Sequence, residues 1–178
     1  MARALRIPTV VGDARFRSRL LSNAWTLEQG DAVLARLVRI PSRHTSEVTL
    51  SDGTPLELRP EGWGTVAAAF DDDQVWGRIL RRSWWGRAWE IEGQGFAIGL
   101  TSDPLPRRWS LRIGSQAVGR LAGGVASYNR LDVATDVAVP VPALALAWHV
   151  LARPWEQAAA PGTLVVRPEP QYRVVPDA

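Results

Sequence analysis

The chain has 178 residues, of which 46% are apolar and 22% are charged, as in a folded globular domain rather than a disordered segment. It contains no cysteine, which excludes disulfides, thiolate metal sites and cysteine nucleophiles. All 21 basic residues are arginine, and the net charge of +3 is too small an excess to predict a dedicated nucleic-acid-binding surface.

The N-terminal residues 1–24 are basic and lack the long apolar run of a signal peptide, so they predict an arm ahead of the first strand. No stretch reaches the roughly 20 apolar residues needed to cross a bilayer. The most apolar stretch, residues 137–152, is shorter and contains Pro140, Pro142 and His149. We therefore expect a cytoplasmic protein that meets a membrane only at its surface.

A repeat runs through the central part of the chain. Arg36, Arg78 and Arg120 are spaced 42 residues apart, and each ends a similar segment that begins with a Gly- or Asp-containing turn. Trp25 and Trp109 lie twice that spacing apart in the same frame. Several coincidences in one register predict three related units.

Each unit is expected to form short strands separated by tight turns. Asp52-Gly53 and Gly30-Asp31, between alternating apolar residues, are hairpin signals. Short strands at this spacing favour a sandwich or a closed barrel. The predicted strands cover residues 25–27, 33–38, 47–50, 56–59, 65–70, 75–80, 88–91, 96–100, 109–113, 117–121 and 130–133.

An apolar helix is predicted over residues 139–153. Pro142 suits its first turn, Arg153 its last, and Pro154 is expected to end it. The helix is apolar on all sides apart from His149, so it must be enclosed on every side. The predicted fold is therefore mostly β: a closed antiparallel barrel of about twelve strands, from a threefold repeat, wrapped around a hydrophobic C-terminal helix.

This layout resembles the tubby C-terminal-like superfamily, which includes the phospholipid scramblases and the LURP-one-related proteins. The resemblance covers about residues 25–153. It rests on the strand–turn rhythm, on the Gly- or Asp-containing hairpins ahead of Val-Leu-Ala-Arg36 and Val-Trp-Gly-Arg78, and on the Ala/Leu-rich final helix. It implies a tubby-like barrel with a central helix and a relation to membrane lipid. The prolines of residues 154–178 predict a Pro-rich, extended tail after the barrel.

The chain also departs from this superfamily. It lacks the cysteine cluster and the calcium-binding acidic segment of the scramblases. The phosphoinositide-binding lysines of tubby have no counterparts, so no functional residue of the family is carried over.

The segment Arg81-Arg-Ser-Trp-Trp-Gly-Arg87 is the strongest candidate site, because two tryptophans and three arginines fall in one predicted connection between strands. Indole rings suit the boundary of a lipid headgroup layer, and guanidinium groups suit its phosphates. The alternative is that Trp84 or Trp85 packs on the barrel with an arginine stacked across it. The matching connection in the first unit is also basic. The candidate lipid- or anion-binding residues are Arg81, Arg82, Trp84, Trp85, Arg87, Arg39 and Arg43.

The other motifs favour structural roles. Residues 71–73 are three aspartates that predict a hairpin tip rather than a calcium site. The glycine-rich residues 93–99 precede a strand, so they predict a tight turn rather than a dinucleotide loop. His44 and His149 are unrelated in position, and His149 is expected in the core, bonded to the barrel backbone. Arg36, Arg78 and Arg120 are expected on the strand surface or barrel rim.

No catalytic residues, metal site or cofactor are predicted. The expected function is that of a non-enzymatic lipid- or membrane-surface-associated binding module, whose partner is an anionic phospholipid at a membrane surface. The alternative is a protein-interaction scaffold with the same fold and a protein partner. A third reading is an enzyme with a small-molecule site at the barrel mouth. No specific nucleic acid is expected as a partner.

Overall fold

A computed structural model describes residues 7–19, 22–70, 72–93, 95–105, 107–124 and 129–159, with only the backbone described for residues 153–159. These residues form twelve β-strands, a short 3-10 turn at Pro41–Arg43 and one α-helix. The elements are β1 (Thr9–Ser18), β2 (Ala24–Gln29), β3 (Ala32–Ile40), β4 (Thr45–Leu50), β5 (Pro55–Gly62), β6 (Thr65–Ala69), β7 (Val75–Arg81), β8 (Ala88–Gly93), β9 (Phe96–Ser102), β10 (Arg108–Ile113), β11 (Gln116–Gly123), β12 (Arg130–Pro140) and α1 (Val141–Ala159).

The twelve strands form one closed antiparallel barrel. Each strand pairs with its neighbours in the chain, and β1 pairs with β12 to close the ring. Apolar side chains alternate inward along the strands, as Leu37 and Ala35 do on β3, while the residues between them face outward. The fold class predicted from strand spacing, a mostly β closed barrel around a C-terminal helix, is confirmed.

The N-terminal strand corrects one prediction. Residues 1–24 were expected to form an arm, but Thr9–Ser18 is β1, whose Phe16 lies opposite Leu131 on one side and Leu27 on the other. It stands between β12 and β2 and supplies the twelfth strand, which is absent from the eleven predicted from the sequence. A bulge at Gly12 and the charged outward residues of β1 interrupt the apolar alternation, which is why the strand resembles a basic arm.

The helix α1 fills the barrel, and every side chain from Val141 to His149 is buried, as predicted. It begins at Val141 rather than at residue 139, because Val139 and Pro140 still pair with β1. It continues to Ala159, so the prediction that Pro154 ends the helix is wrong. A proline removes one backbone donor and can bend a helix without ending it. Residues 160–178 of the predicted tail lie outside the described residues.

Trp148 is the centre of the core. Its ring stacks on Phe16 at a centroid distance of 6.2 Å and meets the edge of Trp25 at 5.7 Å. The next residue, His149, is buried as predicted, and its Nδ1 lies 2.9 Å from Oγ of Ser46 on β4. A side-chain hydroxyl of the barrel wall is therefore one polar partner of this histidine, where the backbone was expected.

The remaining motifs take their predicted structural places. Asp72 and Asp73 are exposed in the turn between β6 and β7, whereas Asp71 lies outside the described residues. Gly93 ends β8 and Phe96 begins β9, so the glycine-rich segment spans the hairpin connection between these strands and the start of β9. The spaced arginines are all exposed on strand surfaces, and the threefold repeat itself stays a prediction. These arginines are Arg36 on β3, Arg78 on β7 and Arg120 on β11.

The place of β1 in the wall leads to a stability prediction. Phe16→Ala is expected to lower the free energy of unfolding by about 3–5 kcal/mol, because it leaves a cavity against Trp148. Val11→Ala, at an exposed position of the same strand, is expected to change it by less than about 0.5 kcal/mol. Urea unfolding followed by circular dichroism measures both values. Equal effects of the two substitutions would contradict the place of Phe16 in the core.

Candidate functional site

The two ends of the barrel can be distinguished by the strands that lead to them. Because all neighbouring strands are antiparallel, the connections after odd-numbered strands meet at one end and those after even-numbered strands at the other. We call the first the tryptophan end and the second the acidic end. The helix enters at the acidic end, where Val141 follows β12 directly and its N–H donates to the carbonyl of Pro8 at 2.9 Å. Its later turns therefore lie toward the tryptophan end.

The connections at the two ends carry opposite charge. In the part of the chain that the structure describes, those of the tryptophan end contain five arginines and one aspartate, whereas those of the acidic end contain four aspartates and no arginine. The negative end of the helix dipole faces the tryptophan end, where the arginines complement it. The residues are Arg19, Arg43, Arg82, Arg87, Arg107 and Asp103 at the tryptophan end, and Asp31, Asp52, Asp72 and Asp73 at the acidic end.

Large apolar side chains are exposed at the tryptophan end. Trp63 is 71% exposed, Trp84 74% and Trp85 82%, and Leu105 on the next connection is 53% exposed. The rings of Trp63 and Trp84 lie 5.6 Å apart, so two connections share one aromatic surface. Exposed apolar clusters are typical of interaction surfaces, which makes this one the candidate site. The sequence pattern identified Trp84 and Trp85 but not Trp63. The feature that could have identified Trp63 is its position in a predicted turn, between Gly62 and Gly64.

Arg81 holds this surface together. Its Nε donates to the carbonyl of Ser83 at 3.0 Å, and its Nη2 donates to the carbonyl of Trp84. Its guanidinium also lies 5.3 Å from the ring centre of Trp63 and 5.9 Å from that of Trp89. Arg81 therefore lies over Trp63 and Trp89, whereas Trp84 and Trp85, which the alternative placed against the barrel, stay exposed. Arg81 positions the connection instead of presenting a free charge.

The backbone around Arg81 requires two glycines. Gly64 and Gly86 have positive φ angles of 71° and 65°, which residues with a Cβ rarely adopt. A Cβ on Gly64 would also lie 2.9 Å from Cβ of Arg81. Oγ of Ser83 accepts hydrogen bonds from the backbone N–H groups of Arg87 at 2.7 Å and Ala88 at 2.9 Å. The connection is thus a defined loop, held by its own hydrogen bonds.

Two candidate arginines are engaged elsewhere. Arg82 binds Glu90 at 2.6 Å and Glu92 at 2.8 Å, and the hydrogen bond to Glu90 together with the nearby negative charge raises the pKa of Arg82. Its charge is balanced on the barrel wall. Arg39 is buried, with both terminal nitrogens 3.3 Å from the carbonyl of His149 and its guanidinium 4.7 Å from the ring centre of Trp148. Side chains on β3 alternate between the two faces of the wall, and Arg39 lies on the inner face. Its predicted place in the surface site is therefore corrected.

Arg43 and Arg87 are the two cations of the predicted set that remain available. Both are exposed, and neither side chain forms a hydrogen bond or ion pair with another described residue. They lie on the β3–β4 and β7–β8 connections, on either side of the connection that carries Trp63. The site therefore consists of exposed aromatic rings flanked by uncompensated guanidinium groups.

Two cavities lie near these elements. One, of about 430 Å³, opens at the tryptophan end between the barrel wall and α1. The other, of about 540 Å³, is a groove on the outer wall, where Arg108 and Arg120 stand beside Asp13 and Asp132. Burial acts against ionisation of Asp132, but hydrogen bonds from arginines on β1 and β12 outweigh it and lower the pKa of Asp132. The mixed charges of the outer groove favour no single ligand chemistry.

Comparison with models of protein families, with curated proteins and with solved structures finds no match. In the described parts of the chain, no group of three or more His, Cys, Asp or Glu residues is placed to hold a metal ion. No helix among those residues is long and apolar enough to cross a membrane. The site is therefore interpreted from its geometry, and the resemblance to the tubby superfamily stays an expectation.

The different contacts of Arg81 and Arg82 lead to a second prediction. Arg81→Ala is expected to speed chymotrypsin cleavage after Trp84 and Trp85 severalfold, because the loop loses the contacts that hold its carbonyls. Arg82→Gln removes the same charge but no loop contact, so its cleavage rate is expected to match that of the wild type. Mass spectrometry of a cleavage time course measures both rates. Equal protection of the two variants would contradict the positioning role of Arg81.

Proposed function

We propose that this protein is a non-enzymatic module that binds anionic membrane surfaces with the tryptophan end of its barrel. One observation carries the proposal: three exposed tryptophans share a barrel end with the uncompensated Arg43 and Arg87, while the aspartate-rich turns lie at the opposite end. Indole rings favour the boundary between headgroups and acyl chains, and guanidinium groups bind phosphate bidentately.

The opposite charges of the two ends also support one orientation. Near an anionic surface, the arginines of the tryptophan end are attracted and the aspartates of the acidic end are repelled, so the barrel approaches with its tryptophans first. Each arginine near such a surface contributes on the order of 1 kcal/mol. With two uncompensated arginines and a few inserted rings, the interaction is weak and reversible, as suits a peripheral protein.

The alternative function, a protein-interaction scaffold, would use the same surface to bind a protein instead of a bilayer. A protein partner would bury the exposed tryptophans but would not require an anionic bilayer. Dependence on anionic lipid therefore separates the two functions.

The proposed function predicts two kinds of response in vesicle binding. Trp84→Ala with Trp85→Ala is expected to weaken binding about tenfold or more at every salt concentration, because burial of a large side chain contributes about 1.5–3 kcal/mol. Arg43→Gln and Arg87→Gln are each expected to weaken it about fivefold at low salt and little at high salt, because ions screen exposed charges. Co-sedimentation with phosphatidylcholine vesicles, with and without phosphatidylserine, measures binding across a sodium chloride series.

The matched control is Arg36→Gln, which removes the same charge from an exposed position in the middle of the barrel wall. It is expected to bind like the wild type, and thermal melts confirm that each variant is folded. Equal weakening by Arg36→Gln and Arg87→Gln would indicate a response to net charge alone. If the folded wild type does not bind anionic vesicles, the membrane function is overturned in favour of the protein scaffold.

A further inference from the structure

The barrel wall is incompletely packed against the helix at the tryptophan end. Trp89 on β8 and Trp109 on β10 face inward, as Ile91 and Leu111 do two residues further along the same strands. Ile91 and Leu111 are fully buried, whereas the two tryptophans are only partly buried. Between this part of the wall and α1 lies the cavity of about 430 Å³. We call this cavity the slot.

The lining of the slot is mostly apolar. Two of its polar groups are used by the protein itself, because Nε1 of Trp89 donates to the carbonyl of Gly86 at 3.1 Å and Oγ of Ser102 donates to that of Asp103 at 3.2 Å. A ligand would meet indole faces and the aliphatic side chains of the helix. The described lining residues are Arg81, Trp85, Gly86, Arg87, Trp89, Ser102, Trp109, Val150 and Leu151.

The charged side chains that line the slot are positive. Its lining includes two arginines and, among the described residues, no carboxylate. Arg81 is held by the loop carbonyls, whereas Arg87 is exposed and makes no side-chain hydrogen bond or ion pair with the described residues. An apolar slot with one uncompensated guanidinium is complementary to an apolar chain that carries an anionic head.

We propose that the slot binds the acyl chain of an anionic amphiphile, with the chain between Trp89, Trp109 and the helix and the head on Arg87. The volume is within the range of small-molecule pockets and suits one chain better than two. The acyl chain belongs either to a free fatty acid or to a lipid in a bilayer, since both combine an apolar chain with an anionic head. This proposal extends the proposed membrane function. It rests on that function only where the acyl chain comes from a bilayer lipid.

The test uses the full-length protein and saturated fatty acids from octanoate to dodecanoate, kept below their critical micelle concentrations and titrated by calorimetry. We expect one molecule of fatty acid to bind to each molecule of the protein. Each added methylene is expected to tighten binding about three- to fourfold until the slot is full, because each buried methylene contributes a constant free energy. Decanol, which lacks the anionic head, is expected to bind about fivefold more weakly than decanoate.

Two variants on β9 make a matched pair. Ser102→Phe fills the slot from the inward-facing side of the strand and is expected to weaken decanoate binding more than tenfold. Thr101→Phe adds the same ring at the neighbouring outward-facing position and is expected to leave binding unchanged. Arg87→Gln is expected to reduce the preference for decanoate over decanol. Thermal melts of all three variants confirm that the barrel is folded.

The outcomes separate this proposal from the membrane function. If the wild type binds anionic vesicles but no fatty acid, or if Ser102→Phe binds decanoate as well as Thr101→Phe does, the slot proposal is overturned and the membrane function stands. If decanoate binds but vesicles do not, the slot takes free fatty acids and the membrane function fails. If Ser102→Phe weakens both kinds of binding, the slot also takes a chain from the bilayer.

Discussion

The enclosure of α1 is the constraint on which the rest of the structure depends. Its first nine residues are buried on all sides, and such a helix has no solvent-facing side, so it is stable only within a continuous wall. An open sheet would leave one side of the helix in water and two unpaired strand edges. Closure of the wall by β1 against β12 removes both problems at once. This is why the N-terminal strand belongs to the core although its outward residues are charged.

Enclosure also requires polar partners inside the barrel. His149 is the one polar side chain in the first three turns of the helix, and Ser46 on β4 is a partner for its ring. Arg39 reaches the helix from β3, where its terminal nitrogens lie near the carbonyl of His149 and its guanidinium faces Trp148. Buried groups of this kind are costly without partners and orient the helix when they have them. Arg39, which the sequence placed in the surface site, is thus part of the core.

The asymmetry of the two ends follows from the antiparallel order of the strands. Alternate connections meet at opposite ends, so residues far apart in the sequence, such as Trp63 and Leu105, come together on one rim. The helix enters at the acidic end and approaches the opposite rim with Val150 and Leu151, where the wall is less tightly packed. The exposed rings and the slot are therefore neighbouring parts of one barrel end.

Local patterns in the sequence determined most of the fold. Apolar alternation and turn residues placed eleven strands, and the apolar run after Asp136 placed the helix and required its enclosure, because these signals depend on neighbours in the chain. The candidate loop with Trp84 and Trp85 was also visible as a cluster of adjacent residues. Only the tertiary structure decided which arginines are available: Arg39 turns inward, Arg82 is balanced by carboxylates on β8, and Arg87 is left without a partner among the described residues. It also decided that β1 closes the wall, because partners across a barrel depend on strand pairing and register, which no local stretch of sequence encodes.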